Sequence, residues 1–221
     1  MQRLRVKFRR GEEVKYITHL DLMRLWHRAM RRAGIPLMYS QGYSPHPRLS
    51  LAAPLAIGTT SDSELMDVSL ERRVSPHHFT KTISAQLPKG VDIAEVVEIS
   101  PVVPSLQSQV RSAECVVTLE TDRPRDEVED AIEGLLAKEE LPWQHARDTG
   151  IRKYDLRALI DDLWLIDMQP LCRLGMLLRC DNKGTGRPEQ VALALGFDEP
   201  PTSIHRTRLI LARPDKAGYH R

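Results

Sequence analysis

The chain opens on "RLRVKFR", in which Leu4, Val6 and Phe8 alternate with Arg3, Arg5, Lys7 and Arg9. A period of two predicts a strand with one apolar and one cationic face. Thr18, three residues ahead of Asp21, has the form of a capping box with Asp in place of the usual Glu. Leu22, Leu25, Trp26, Ala29, Met30 and Ala33 then recur at helical spacing until Gly34-Ile35-Pro36, which predicts a helix over residues 18–33. "IPLMYS", "RLSLAAPLAIG" and "ELMDVSLE" follow as strand candidates, the last with Met66, Val68 and Leu70 on one face. "SPHHFTKTISAQL" offers Ser75 as a cap, Pro76 at the first helical position and a stripe of Phe79, Ile83 and Leu87. A second helix is therefore predicted, followed by the strand "VDIAEVVEI".

This order, β-α-β-β-α-β, is that of a ferredoxin-like sandwich, an antiparallel sheet with both helices on one face. "SPVVPSLQS" at 100–108 has the Pro and Ser content of a linker. Beyond it the pattern restarts. "AECVVTLE" reads as a strand and "RPRDEVEDAIEGLLAKE" as a helix with Val128, Ile132, Leu135 and Leu136 inward. "LPWQHAR", "IRKYDLRALI", "DDLWLIDM" and "LCRLGMLLRC" are strand candidates, "RPEQVALALGF" a short helix and "SIHRTRLILA" a last strand. The expected fold class is α+β, two ferredoxin-like (βαββαβ) sandwiches in tandem, residues 1–100 and 109–221, the second with an additional hairpin. One continuous α+β sheet with helices on one side is the alternative.

Composition narrows the class without naming an activity. A chain of 221 residues with 41% hydrophobic content can bury one large core or two smaller ones. No apolar run approaches the roughly 20 residues needed to cross a bilayer. "MQRLRVKFRR" lacks the apolar stretch of a secretory signal, so a cytoplasmic location with no membrane partner is expected. Cys115, Cys172 and Cys180 are odd in number and far apart, which argues against a disulfide framework or a four-cysteine zinc site. His77 and His78 diverge by about 100° on a helix. No phosphate-loop, dinucleotide or nucleophile-elbow motif is present, so no metal or cofactor is expected.

The net charge of +2 conceals an asymmetry. Residues 1–48 carry Arg3, Arg5, Lys7, Arg9, Arg10, Lys15, Arg24, Arg28, Arg31, Arg32 and Arg48 against Glu12, Glu13 and Asp21, which predicts a basic N-terminal surface. The cationic strand face would lie on the open side of the sheet, the side that many RNA-binding domains of this shape use. Asp67 and Glu71 of a neighbouring strand would share that face and could neutralise the arginines. Arg24, Arg28, Arg31 and Arg32, at i, i+4, i+7 and i+8, form a second cationic face that either stays solvated, meets acidic side chains or meets phosphates. His19 stands beside Asp21 at a helix start, where free N–H groups attract anions; helping to cap is its structural alternative.

"SQGYSPHPRLSL", residues 40–51, combines Gln41, Tyr43, Ser44, His46 and Arg48 with Pro45 and Pro47. The prolines hold Ser44 and His46 extended, and Gly42 permits a tight turn before them. An aromatic ring, a titratable ring and a guanidinium suit a base or a phosphate. Shaping an edge strand against aggregation is the structural alternative.

Residues 16–64 resemble the radical-SAM-linked family of unknown function, whose members occur alone or fused behind a cobalamin-binding radical SAM protein. The resemblance is carried by "HLDLMR" at 19–24, "SQGYSPHPRLS" at 40–50 and "PLAIG" at 54–58, with "KYDLRALI" at 153–160. Tyr43 and Ser44 stand where Phe and Asn are typical of it. The resemblance implies a radical SAM protein as partner and an RNA-processing context. The three cysteines lack the Cys-x₃-Cys-x₂-Cys spacing of a cluster ligand set. The expected function is a non-catalytic substrate-handling or RNA-binding accessory module acting with a radical SAM enzyme in RNA modification or processing. RNA rather than DNA is the expected nucleic acid, and no catalytic residues are assigned. The expected binding residues are Arg3, Arg5, Lys7, His19, Asp21, Arg24, Arg28, Gln41, Tyr43, Ser44, His46 and Arg48. Two rivals stand beside it: a metal-independent endoribonuclease resembling the CRISPR repeat-processing enzymes, with His19 and His46 as its test residues, and a protein-binding adaptor.

Overall fold

In the computed structural model, which describes residues 1–147 and 150–212, the alternating first segment is β1 (Gln2–Arg10), with Leu4, Val6 and Phe8 fully buried. It is followed by α1 (His19–Arg32), β2 (Leu49–Leu51), β3 (Thr60–Leu70), α2 (Pro76–Ser84) and β4 (Val91–Ile99). β1 lies between β3 and β4, antiparallel to both, and the short β2 pairs antiparallel with β3. Both helices start where the sequence puts a cap: Thr18 accepts from the Asp21 amide and Ser75 from the His78 amide. Leu22, Trp26 and Met30 of α1 and Phe79 and Ile83 of α2 join Leu4, Val6, Phe8, Met66 and Val68 in one core. Trp26 sits edge-on to Phe8 with ring centroids 4.9 Å apart. Burial of each such side chain contributes about 1.5–3 kcal/mol.

Several segments depart from the periodicity. "IPLMYS" forms no strand, only isolated bridges from Leu37 to Leu70 and from Tyr39 to Pro47. "RLSLAAPLAIG" yields the three-residue β2 and then irregular chain, although Ala52, Ala53 and Leu55 are buried. Pro36, Pro45, Pro47 and Pro54 remove the donors that longer ladders need. The expected linker is folded against the sheet instead. It forms a single turn, α3 (Leu106–Gln109), capped by Ser105, with Leu106 fully buried. The carbonyls of Val103 and Pro104 and the side chain of Gln109 bond to Arg3 and Arg5 of β1.

The chain divides into two compact units, Met1–Arg111 with the end of the last strand, and Ser112–Arg208. Apart from the first two residues of β5 and the last three of β10, the second contains β5 (Val110–Leu119), α4 (Arg125–Leu136), β6 (Pro142–Arg147), β7 (Gly150–Asp155), β8 (Ile160–Asp167), β9 (Cys172–Arg179), α5 (Pro188–Ala194) and β10 (Ser203–Leu211). Its sheet runs β10–β5–β9–β8, with β9 antiparallel to β5 and β8. β6 and β7 form a separate hairpin in which Trp143 faces Tyr154. "IRKYDLRALI" is not one strand. It breaks after Asp155, whose carboxylate accepts from the Leu141 and Arg157 amides and turns the chain into a short 3-10 segment, Arg157–Leu159. The architecture is thus mixed α+β with mostly antiparallel sheet. Among the described residues no helix is long and apolar enough to cross a membrane.

Candidate functional site

The cationic face of β1 is only partly available. Register sets Arg5 opposite Asp67 of β3. Arg5 donates from Nε to Asp67 Oδ1 at 2.8 Å and from its terminal nitrogen to Oδ2 at 3.1 Å, while Arg3 Nε donates to the same Oδ2 at 3.0 Å. The Asp67 side chain is 4% exposed. Arg3 also donates to the Val103 and Pro104 carbonyls, so the two part-buried arginines form a scaffold around the buried Asp67 and not an open anion-binding face. Glu71 lies beyond the end of β3 and takes no part. Lys7 is half-buried, opposite Glu95 of β4, with no ion pair among the described residues. Arg9 pairs with Asp62 at the surface. Arg10, expected on the basic surface, is 1% exposed. Its guanidinium donates to the carbonyls of Val14, Lys15 and Ile17 and so holds the turn that leads into α1.

At the start of α1 the Thr18 hydroxyl donates to Asp21 Oδ2 at 2.7 Å, and Arg24 donates to Oδ1 at 3.1 Å. The Thr18 bond first, and Arg24 second, hold the Asp21 carboxyl below its usual range. Asp21 is thus the charged partner of the Thr18 cap. His19 is exposed at the first helical position and has no side-chain hydrogen bond among the described residues.

The four helix arginines have different fates. Arg24 pairs with Asp21. Arg32 donates to the Gln86 side chain at 3.0 Å and to its carbonyl at 2.6 Å. Arg28 and Arg31 are exposed, with no guanidinium partner among the described residues. Leu25, Arg28 and Arg32 line an open groove of about 540 Å³ against Ala85–Pro88.

His27 was invisible to the periodicity, yet it joins two parts of the site. Its Nε2 lies 3.1 Å from the Tyr39 hydroxyl, with the rings edge to face at 6.1 Å. Burial first, and the Arg31 charge second, push its pKa below the usual 6.5. Tyr39 is at the base of a hairpin spanning 38–48. Met38 N donates to Ser69 O, Arg48 N to Met38 O and Ser69 N to Arg48 O, at 2.8–3.0 Å. Ser40 N donates to His46 O at 2.8 Å, and His46 N donates to Ser40 Oγ at 3.0 Å, pinching the loop between them. Gly42 sits at φ 133°, a value that favours glycine. Gln41, Tyr43, Ser44, His46 and Arg48 all face solvent.

The hairpin thus carries Tyr43, His46 and Arg48, each exposed, and the His27–Tyr39 bond ties it to α1. No hydrogen bond or ion pair joins His19, Asp21 or Arg24 to the hairpin among the described residues. Sequence reasoning also passed over an exposed apolar group, Tyr16, Leu20 and Ile57, where Gly58 N donates to Lys15 O. A second open groove, about 750 Å³, runs along the β6–β7 hairpin beside Trp143, Lys153, Tyr154 and Asp155. Among the described residues no group of three or more His, Cys, Asp or Glu side chains could hold a metal ion.

By fold, the chain is a mixed α+β protein similar to a chain in a Cbf5-Nop10-Gar1 complex, at TM-score 0.50 and 12% identity over 94% of this chain and 48% of that one. A chain of an archaeal box H/ACA sRNP Nop10-Cbf5 complex aligns at TM-score 0.46 and 13% identity, over 95% and 48%. One from an H/ACA RNP bound to a substrate RNA containing 2'-deoxyuridine aligns at 0.46 and 11%, over 94% and 47%. The chain spans about half the length of these structures' chains. No curated protein matches it in sequence. The chain belongs to the family described as "Uncharacterized protein conserved in bacteria (DUF2344)", whose model matches residues 3–188.

Proposed function

We propose that the chain is a non-catalytic RNA-binding accessory module whose contact surface is the exposed face of α1 together with the hairpin 38–48. One observation carries this reading: Arg28, Arg31 and Arg48 are exposed without a carboxylate partner among the described residues. Arg28 and Arg31, at i and i+3 on α1, repel one another, and phosphates relieve that repulsion. Among the described residues Arg24 is held only by an exposed i,i+3 pair, which a phosphate can displace. Of the expected binding residues, His19, Arg24, Arg28, Gln41, Tyr43, Ser44, His46 and Arg48 belong to this surface. Asp21 caps and orients, and Lys7 lies apart on β1. Action with a radical SAM enzyme in RNA modification or processing rests on the sequence resemblance alone.

We read both units as ferredoxin-like and keep 1–100 and 109–221 as the two domains. The sheet orders β4–β1–β3–β2 and β10–β5–β9–β8 are the same permutation of chain order once the β6–β7 hairpin is set aside. Fold similarity to the Cbf5-Nop10-Gar1 complex adds the fold and no activity.

The test is equilibrium binding of a fluorescent RNA, followed by electrophoresis of the same samples without metal. Binding with intact RNA is expected. Cleavage that disappears in His19→Ala or His46→Ala would replace this reading with the endoribonuclease.

A further inference from the structure

Tyr43 is fully exposed, at 104%, and makes no hydrogen bond or ring contact among the described residues. Keeping an aromatic ring in water is unfavourable, yet the chain around it is stiff. The two Ser40–His46 bonds close the loop, Pro45 and Pro47 fix their own φ, and the residue before each is confined to extended backbone. The tyrosine has only two side-chain torsions, so ordering it against a flat partner loses little entropy. The segment Ser40–Arg48 contains no carboxylate, and His46 and Arg48 place cationic or titratable groups on the same hairpin. An exposed ring on a rigid, acid-free hairpin matches a flat partner attached to an anionic backbone.

We propose that Tyr43 is a stacking platform for a nucleobase and that the site consequently selects unpaired RNA over duplex. The proposal rests on the RNA-binding reading above and adds the substrate class. In an A-form duplex each base is already stacked on its neighbours, whereas single strands, loops and bulges present a free π-face. A ring that reads a π-face, placed among cations that read phosphates, discriminates between these forms although the phosphate charge is common to both.

The experiment compares an RNA strand of about 12 nucleotides carrying one 2-aminopurine, free or annealed to its complement, with wild type, Tyr43→Ala, Tyr43→Trp and Arg28→Gln. Wild type is expected to bind the free strand more tightly than the duplex and to quench the 2-aminopurine. Tyr43→Ala should lose at least about fivefold in affinity for the free strand and should lose the quenching, with an unchanged salt slope. Tyr43→Trp should retain both, and Arg28→Gln should flatten the salt slope while keeping the quenching. Because the Tyr43 ring is fully exposed and Arg28 has no guanidinium partner among the described residues, these variants report on binding and not on folding. Equal affinity of Tyr43→Ala and wild type for the free strand, or equal binding of free strand and duplex by wild type, overturns the stacking proposal and leaves RNA binding standing. Unaltered RNA affinity in Tyr43→Ala, with loss of a co-purifying protein, reassigns the ring to a protein contact and likewise overturns it. Absence of RNA binding by wild type at any salt overturns the RNA reading itself, and stacking with it.

Discussion

The Nε2 of His27 lies 3.1 Å from the hydroxyl of Tyr39, so the middle of α1 is bonded to the base of the hairpin that carries Tyr43, His46 and Arg48. Tyr39→Phe keeps the ring and removes this bond. The expected loss is about 0.5–1.5 kcal/mol of stability, concentrated locally. Amide hydrogen exchange at Ser40 and Arg48, whose N–H groups close the hairpin, should accelerate, while amides of β1 stay protected. Unchanged exchange at both would show that the hairpin does not depend on α1.

The same pair carries a pH dependence. Burial and Arg31 lower the His27 pKa from 6.5, so the folded state favours the neutral ring. Its contribution to stability is present above pH 6.5 and is lost as pH falls through the lower folded value. Denaturant midpoints of wild type should therefore drop more than those of His27→Gln as pH is taken from neutral downward through 6.5, and the His27 ring resonance should titrate below 6.5. A midpoint above 6.5 would contradict the assignment.

Arg5 and Asp67 separate scaffold from ligand contact. Asp67→Asn leaves two guanidinium groups without their carboxylate and should destabilise by about 3 kcal/mol, visible in thermal unfolding. Arg5→Gln should lower the melting temperature yet leave the salt slope of RNA binding as in wild type. A flattened slope would return Arg5 to the contact surface.

In the second unit, an ideal Cβ at Gly175 would fall 1.9 Å from Trp164 Cε2. Gly175→Ala must displace the indole. A loss of about 1–3 kcal/mol and a shift of Trp164 fluorescence are expected. A stable variant with native emission would show that the indole can move freely.

The first helix was legible because cap, stripe and stop agree at Thr18, Trp26 and Gly34-Ile35-Pro36. Alternation in β1 likewise told which side Arg3 and Arg5 take. It could not tell that one carboxylate would serve both, because that depends on the β1–β3 register and on residues 103–109 folding over them. Arg10 continues the buried even positions of β1 after Leu4, Val6 and Phe8, so its side was legible, but the three carbonyls of Val14, Lys15 and Ile17 that take its guanidinium come from the turn that follows and leave no periodic signal. His27 was missed because its partner lies in a proline-rich segment with no period to read. Among the described residues, the hairpin's geometry comes from isolated bridges and side-chain bonds, which leave no repeating signature.

The most direct test of the central claim is the salt dependence of RNA binding by wild type and by the double variant Arg28→Gln/Arg31→Gln. Wild type should bind with log affinity falling linearly against log salt concentration, by about 0.7 for each phosphate contacted, and the double variant should show a slope shallower by about 1 to 1.5. RNA binding with the same slope in both proteins, or none at low salt, would contradict the account.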